Sequence, residues 1–382
     1  MKNKKWLHYA IFSVAFAIVA AIILVIAFAG REKKEHITVG FVMTGGMEEE
    51  GWNSLHYRGI KSACDEIGVD LLVKENVLEN SGQCPKAIHE LAKEQADIII
   101  LSSYGYAAEA EEIVKQYPEI AFYSESFENR GDNLDCYFAR MYQARYLSGI
   151  VAGYATETDK IGYIAAMSND EVNRGINAFT LGVQRVNPEA TVFVTWTNAW
   201  DDAEAERQAA AKLIDECGAD VLTYHQNQPN VVDVAEERGI ASIGYHLAPE
   251  GVSENFLTAV VSHWDITYRE LILDCIKGKS DIVDFYWFGM ERNAIGLTEL
   301  SPLVPGEAAS EIEKAADEIM TGADVFSGEI YDADGKLRCG KGESISDEAL
   351  MTQMNWFVKG VKVLSYCFYL ANVLILHRFC LG

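Results

Sequence analysis

The chain has 382 residues, 49% hydrophobic and 11% aromatic, with 7 prolines, 30 glycines and a formal net charge of -25. That length exceeds what one hydrophobic core ordinarily holds, so two domains are expected, and the composition excludes disordered, collagenous and low-complexity chains. The negative field repels phosphate backbones and anionic headgroups, which excludes a nucleic-acid polymer as partner and favours neutral or cationic small ligands.

Residues 1–35 stand apart in composition. Lys2, Lys4 and Lys5 precede an uncharged run from Trp6 to Gly30, and Arg31, Lys33 and Lys34 follow it. At about 1.5 Å per residue the run is long enough to cross a hydrocarbon layer of about 30 Å, so it is read as an export signal or a membrane anchor. Ala27-Phe28-Ala29 is a cleavage-site pattern, but the run exceeds the roughly 7–15 apolar residues of a cleaved signal, which favours an uncleaved anchor. Its basic leading flank would place everything after His36 outside the cytoplasm.

From residue 37 onward short β-branched runs alternate with amphipathic stretches. Strands are expected at 37–43, 69–73, 97–103 and 120–125, with helices at 54–67, 83–95 and 107–116 between them. A second series follows: strand 160–167, helix 171–186, strand 191–196, helix 203–217, strand 219–225, helix 230–238 and strand 240–246. KIGYIAAM restates ITVGFVM, so the chain reads as two doubly wound α/β lobes in tandem with parallel sheets. Strand 256–261, helix 265–277 and the pieces YWFGM and NAIGLTEL are too few for a third domain and are expected to complete the first two. The expected division is lobe one from 36–141 plus about 256–283, and lobe two from 142–255 plus about 284–335. A C-terminal segment, 336–360, and an apolar tail, 361–382, follow, and the tail is given no function.

The carboxyl ends of two such sheets face a common cleft, where open α/β folds bind ligands. The loops there are aromatic and polar: TGGMEEEGWN with Trp52, SSYGYA with Tyr104 and Tyr106, TNAWDD with Asn198 and Trp200, HQNQP with Gln226 and Asn227, GYHL with His246, and VSHWD with Trp264. One aromatic in such a loop is usually packing, but several at the same end of two sheets suit a clamp on a flat, uncharged heteroaromatic ligand, with amides reading its edge. Glu48-Glu49-Glu50 reads as a solvated loop, since adjacent carboxylates do not converge on a metal.

Catalytic signatures are absent: there is no GxSxG, GxxxxGK[ST], HExxH or helix-opening GxGxxG. The eight cysteines form no CxxC pair or Cys/His cluster, and they read as small buried thiols without a disulfide framework. Binding is therefore expected rather than catalysis, with no cofactor and no metal.

Several blocks carry a family resemblance. VGFVMTGGMEEEGWNSLHYRGIKSA, YFARMYQARYLSGIVAGYATETDKIGYIAAM, GINAFTLGVQRVNP, TNAWDDAEAERQAAAKLIDECGADVLTYH and VAEERGIASIGYH together resemble, in order, the basic membrane protein family of ABC-transporter solute-binding proteins. The resemblance spans roughly residues 37–360 and implies a type I periplasmic-binding fold, a purine ligand, and permease and ATPase subunits as partners. It implies that the base-stacking Phe of the family's SFN motif falls on Trp52, with Asn53 kept and Glu49 in place of Asp, and that the second stacking aromatic is Trp200. Arg140 of the YFARMYQ block joins the ligand-contact set. In nucleoside-binding members an Asp after the late strand holds ribose, whereas IGYH puts His246 there, and a sugar-holding lysine is replaced near Trp264. Both departures remove charged sugar contacts, so the chain is similar to the branch that binds a free base such as adenine. No cysteine precedes Cys64, so the lipobox is missing and the N-terminal segment is the expected link to the membrane. A membrane-tethered sensor of the same fold, and an extracellular nucleoside-cleaving enzyme, are the alternatives.

Overall fold

A computed structural model describes residues 36–48, 51–127, 133–278 and 285–364. The expected N-terminal anchor, and the apolar tail from residue 365, lie outside the described residues. Among the described residues no helix is long and apolar enough to cross a membrane.

The first series runs β1 (Thr38–Val42), α1 (Trp52–Ile67), β2 (Asp70–Lys74), α2 (Cys84–Lys93), β3 (Ile98–Leu101), α3 (Tyr106–Val114), β4 (Ala121–Glu125) and β5 (Leu134–Ala139). The second runs α4 (Met141–Ala155), β6 (Lys160–Ala165), α5 (Asp170–Val186), β7 (Thr191–Trp196), α6 (Ala203–Cys217), β8 (Val221–His225), α7 (Asn230–Arg238), β9 (Ala241–Tyr245) and β10 (Phe256–Ser262). Then come α8 (Trp264–Ile276), β11 (Phe285–Phe288), β12 (Ile295–Leu297), α9 (Gly306–Met320), β13 (Ile330–Tyr331), β14 (Leu337–Cys339), α10 (Asp347–Thr352) and β15 (Val361–Val363). Asn169 and Asp202 start α5 and α6 by accepting from Val172 and Ala205 backbone N–H groups, as short polar side chains do at helix N-termini.

One sheet has the order β11-β5-β4-β3-β1-β2 and is parallel throughout. The other has the order β12-β10-β9-β8-β6-β7-β15, with only β12 antiparallel. Helices cover both faces, which is why IIIL in β3 is apolar at every position. The pleat divides that run: Ile98 and Ile100 join the core shared with α1 and α8, while Ile99 and Leu101 join the core beneath α2 and α3. Cys64 and Cys84 are buried thiols, and burial pushes Cys64 up to about 12.

The chain crosses between lobes at 139–141, 262–264 and 288–295. This corrects the expected division. Strand β10 continues the second sheet beside β9, Ala259 opposite Gly244, whereas β11 pairs with β5 in the first. The two strands therefore sit in the opposite lobes from those expected, because a strand's pattern states that it is buried and not beside which neighbour. The 336–364 stretch is ordered too, with β15 seated beside β7 through Val361 and Val192.

Helices α4 and α5 approach each other closely. A Cβ at Gly149 would lie 2.0 Å from the Phe179 carbonyl oxygen, and one at Gly182 would lie 1.9 Å from that of Tyr146. The two backbones touch, and no side chain fits between them. Gly175, on the same helix, meets nothing closer than 3.6 Å. Gly182→Ala should therefore destabilise the protein by about 1–3 kcal/mol in denaturant unfolding, while Gly175→Ala should stay within about 0.5 kcal/mol or gain from helix propensity. Equal effects at the two sites would contradict this packing.

Candidate functional site

The carboxyl ends of both sheets face a cavity of about 780 Å³. Lobe one lines it from the loops after β1 (Thr44), β3 (Ser103, Tyr104) and β4 (Glu125, Phe127), and from Trp52 at the start of α1. Lobe two answers with Met167 after β6, Trp200 after β7, His225 and Asn227 around the end of β8, and Tyr245 and His246 at the end of β9.

Trp52 is held from three sides. Its indole N–H donates to the Ser102 carbonyl at 3.1 Å, and its ring lies 4.1 Å from the His56 ring and 5.7 Å from that of Trp264, centroid to centroid. His56 has no exposed surface, hydrogen-bonds the Tyr268 hydroxyl through Nδ1 and stacks on Trp264 at 4.0 Å. Burial drives its pKa well below the ordinary 6.5, so it is neutral. Gly59 permits this stack, because a Cβ there would come within 2.5 Å of the Trp264 Cβ.

On lobe two the loop bearing Trp200 is pinned by Gln226. Its amide nitrogen donates to the Ala199 carbonyl at 2.9 Å and its oxygen accepts from Thr197 Oγ1 at 2.8 Å. Asn227 adds a backbone N–H to the Trp200 carbonyl at 2.9 Å. His225 is neutral, since burial lowers its pKa, and its Nε2 lies 3.2 Å from Glu171 Oε1. Buried Arg145 donates to the Tyr224 carbonyl at 2.7 Å and lies 3.9 Å over the Tyr245 ring. His246 adopts φ +73°, a left-handed conformation rare for a residue with a side chain, and burial holds it neutral as well.

Glu125 is the unusual group. It is 1% exposed at the end of β4, borders the cavity, and neither carboxyl oxygen has a hydrogen-bond partner among the described residues. Burial first, and then the Glu171 and Glu79 charges, raise its pKa well above the carboxylate range. Burial thus favours the protonated acid, which has one O–H donor beside one carbonyl acceptor. The other cavity carboxylates are engaged: Glu79 accepts from Gly105 N–H at 2.7 Å, and Asp170 from Met354 N–H at 2.5 Å.

The lobes meet over this space. Gly51 has φ +89°, and a Cβ on it would lie 2.2 Å from the Asn227 carbonyl oxygen of the other lobe. Beside it the Trp52 and His246 rings pack edge to face at 5.3 Å.

Of the residues singled out from sequence, Trp52, Tyr104, Trp200, Asn227, His246 and Trp264 line one cavity. Glu49 lies outside the described residues. Tyr106 does not face the cavity: it is fully buried at the start of α3, and its hydroxyl donates to the Val77 carbonyl. Asn198 is exposed on the turn, Gln226 is spent on the Trp200 loop, and Asn53 accepts from Thr44 Oγ1 and Gly45 N–H at 3.1 Å to shape the loop after β1. Arg140 sits in the first crossover and forms a two-pronged pair with Asp347 at 2.8 and 2.5 Å. Sequence reasoning placed His225 in a cleft loop without making it a ligand contact, and it missed Glu125 and Glu171. The available signal was position alone, since Glu125 and His225 each end a strand on the cleft side.

Residues 36–325 match the family model described as ABC transporter substrate-binding protein PnrA-like. A purine-binding protein of Brucella abortus is 32% identical over 340 residues, covering 86% of this chain and 93% of the relative. A putative ABC transporter glucose-binding protein of Haloferax volcanii is 31% identical over 336 residues, covering 87% of this chain and 82% of the relative. Among solved structures, a transcriptional activator of the comK gene from Bacillus halodurans superposes with TM-score 0.65 at 25% identity, over 75% of this chain and 99% of that one. A solute-binding protein of an ABC transporter system from Aeropyrum pernix K1 gives TM-score 0.63 at 18% identity, over 75% and 92%, and supports the type I periplasmic-binding architecture. The match over most of the chain bears out the resemblance read from its ordered blocks, and the chain belongs to the PnrA-like family of ABC transporter substrate-binding proteins.

Proposed function

We propose that this substrate-binding protein works outside the cytoplasm, held to the membrane by its N-terminal segment, and captures a purine nucleobase, adenine-like, for an ABC permease and its ATPase. Glu125 carries the reading. A neutral carboxyl offers a donor beside an acceptor, and its complement is a mixed edge such as a ring nitrogen next to an exocyclic amine. An edge of two adjacent donors, as guanine has, would call for an ionised carboxylate instead. Indoles from both lobes border the same cavity, where each stacked ring contributes about 1–3 kcal/mol to holding a base. His246, a neutral imidazole, stands where the family resemblance has a ribose-holding carboxylate. The purine-binding relative from Brucella abortus supports the ligand class. A tethered sensor is the second reading, supported by the likeness to the comK activator structure. Stimulation of ATP hydrolysis by the permease complex on adding loaded protein favours transport, and intact binding without stimulation favours the sensor.

Calorimetry with adenine, hypoxanthine, guanine, their nucleosides and glucose tests the ligand. Adenine should bind and adenosine should bind more weakly; silence from every purine, or heat from glucose alone, would refute the proposal. Trp52→Ala and Trp200→Ala should each weaken adenine binding by about one to two factors of ten without a matching loss of melting temperature. If either variant is destabilised but binds normally, that indole is packing only.

The protonation of Glu125 has its own signature. The unfolded chain releases this proton near 4.5, whereas the folded protein keeps it to much higher pH. Folded protein then binds more protons inside that window, so this contribution is complete below 4.5 and is lost as pH rises toward the raised folded value. Urea denaturation over roughly pH 4 to 9 should show wild type losing stability relative to Glu125→Gln as pH rises. Parallel curves would mean that Glu125 is ionised. Glu125→Gln, which keeps a donor and an acceptor, should hold adenine within about tenfold, and Glu125→Ala should lose about 10- to 100-fold.

A further inference from the structure

The family match ends at residue 325, yet Met351 and Thr352, the last residues of α10, line the cavity. They are held there firmly. Arg174 donates to the Leu350 carbonyl at 2.7 Å, Asp170 accepts from Met354 N–H at 2.5 Å, and Asn177 donates to the Trp356 carbonyl and accepts from Val358 N–H, both at 2.9 Å. All three partners lie on α5, so the segment rides with lobe two. Its other end is fixed at the hinge by the Arg140 pair to Asp347, and Arg140 itself ties two crossovers through its backbone N–H to the Phe288 carbonyl at 2.8 Å and its Nε to that of Trp287 at 3.1 Å. Leu350 is fully buried and Met351 is 9% exposed.

This wall closes the flank between the start of α5 and the hinge, where Met141, Met167 and Met351 all reach the cavity. A cavity of about 780 Å³ lies in the range that holds drug-sized ligands, so a bare base leaves part of it unfilled. Thioether chains are long and adaptable, and the volume they leave decides what a base can carry.

We infer that Met351 is a specificity-determining residue: with Thr352 it forms a wall, contributed by the C-terminal segment, that limits the substituent a purine can bring into the cleft. Arg140, expected from sequence to touch the ligand, is on this reading a positioning residue that holds the wall through Asp347. The inference rests on the purine reading above.

The test is calorimetry on the full chain with adenine and adenosine, comparing wild type, Met351→Ala, Met351→Phe and Asp347→Asn. Opening the wall with Met351→Ala should raise the adenosine-to-adenine affinity ratio by about tenfold, the scale at which pocket volume discriminates, and Met351→Phe should lower it. Asp347→Asn, which leaves the contacts to α5 intact, should move the ratio the same way as Met351→Ala by a smaller factor, at a melting temperature near wild type. If Met351→Ala does not fold, Met351→Phe and Asp347→Asn decide. Ratios constant within about twofold across folded variants that bind adenine would overturn the wall and leave the purine reading standing. A wild type that binds neither ligand would overturn the purine reading and the wall with it.

Discussion

The cleft depends on two helix backbones touching. Gly149 and Gly182 have no Cβ, so α4 and α5 approach until each backbone meets the other's carbonyls. Helix α4 begins at the hinge residue Arg140, and α5 begins with Asp170 and Glu171 at the cavity. The contact thus sets the distance between the first crossover and one wall of the binding space. What is fastened to α5 inherits that placement: His225 through Glu171, and the whole C-terminal segment through Arg174, Asn177 and Asp170. An engineered side chain in this seam would move several cavity groups together.

Lobe one solves a different problem, that of presenting polar groups to a ligand from within an apolar layer. Trp52, His56, Trp264 and Tyr268 form a continuous aromatic stack, and the one titratable ring in its middle is kept neutral by the burial that the stack creates. Glu125 follows the same rule. Buried and facing other carboxylates, it is cheaper to hold protonated than ionised. A neutral acid in a buried position is a directional pair of hydrogen-bonding atoms rather than a charge, so it selects by pattern.

Much of the fold was legible in the sequence because a doubly wound sheet writes its period plainly. The runs ITVGFVM, DIIILSS and TVFVTW fall on β1, β3 and β7, and the helix read at 203–217 is α6 end to end. LDCYFARMYQARYLSGIVAG, by contrast, holds the end of one lobe and the start of the next with no turn residues at the junction, and it hid both β5 and α4. The assignment of β10 and β11 to sheets was beyond reach, since pairing partners leave no mark on a buried strand. The site divides in the same way. Loop aromatics such as Trp52 and Trp200 announced themselves by type and place, but Tyr106, two residues after Tyr104, turns inward because helix α3 has begun. Glu125 in YSES looks like any solvated carboxylate, and its meaning comes from being buried at the junction of the lobes, which only the assembled structure supplies.

The seam between the lobes is made in part by main chain, Gly51 against the Asn227 carbonyl, beside the contact of the Trp52 and His246 rings. The edge at position 51 is therefore set by backbone, whatever side chains line the cavity behind it. Side chains deeper in the cavity, such as Trp200, can vary without disturbing that edge, provided position 51 stays glycine.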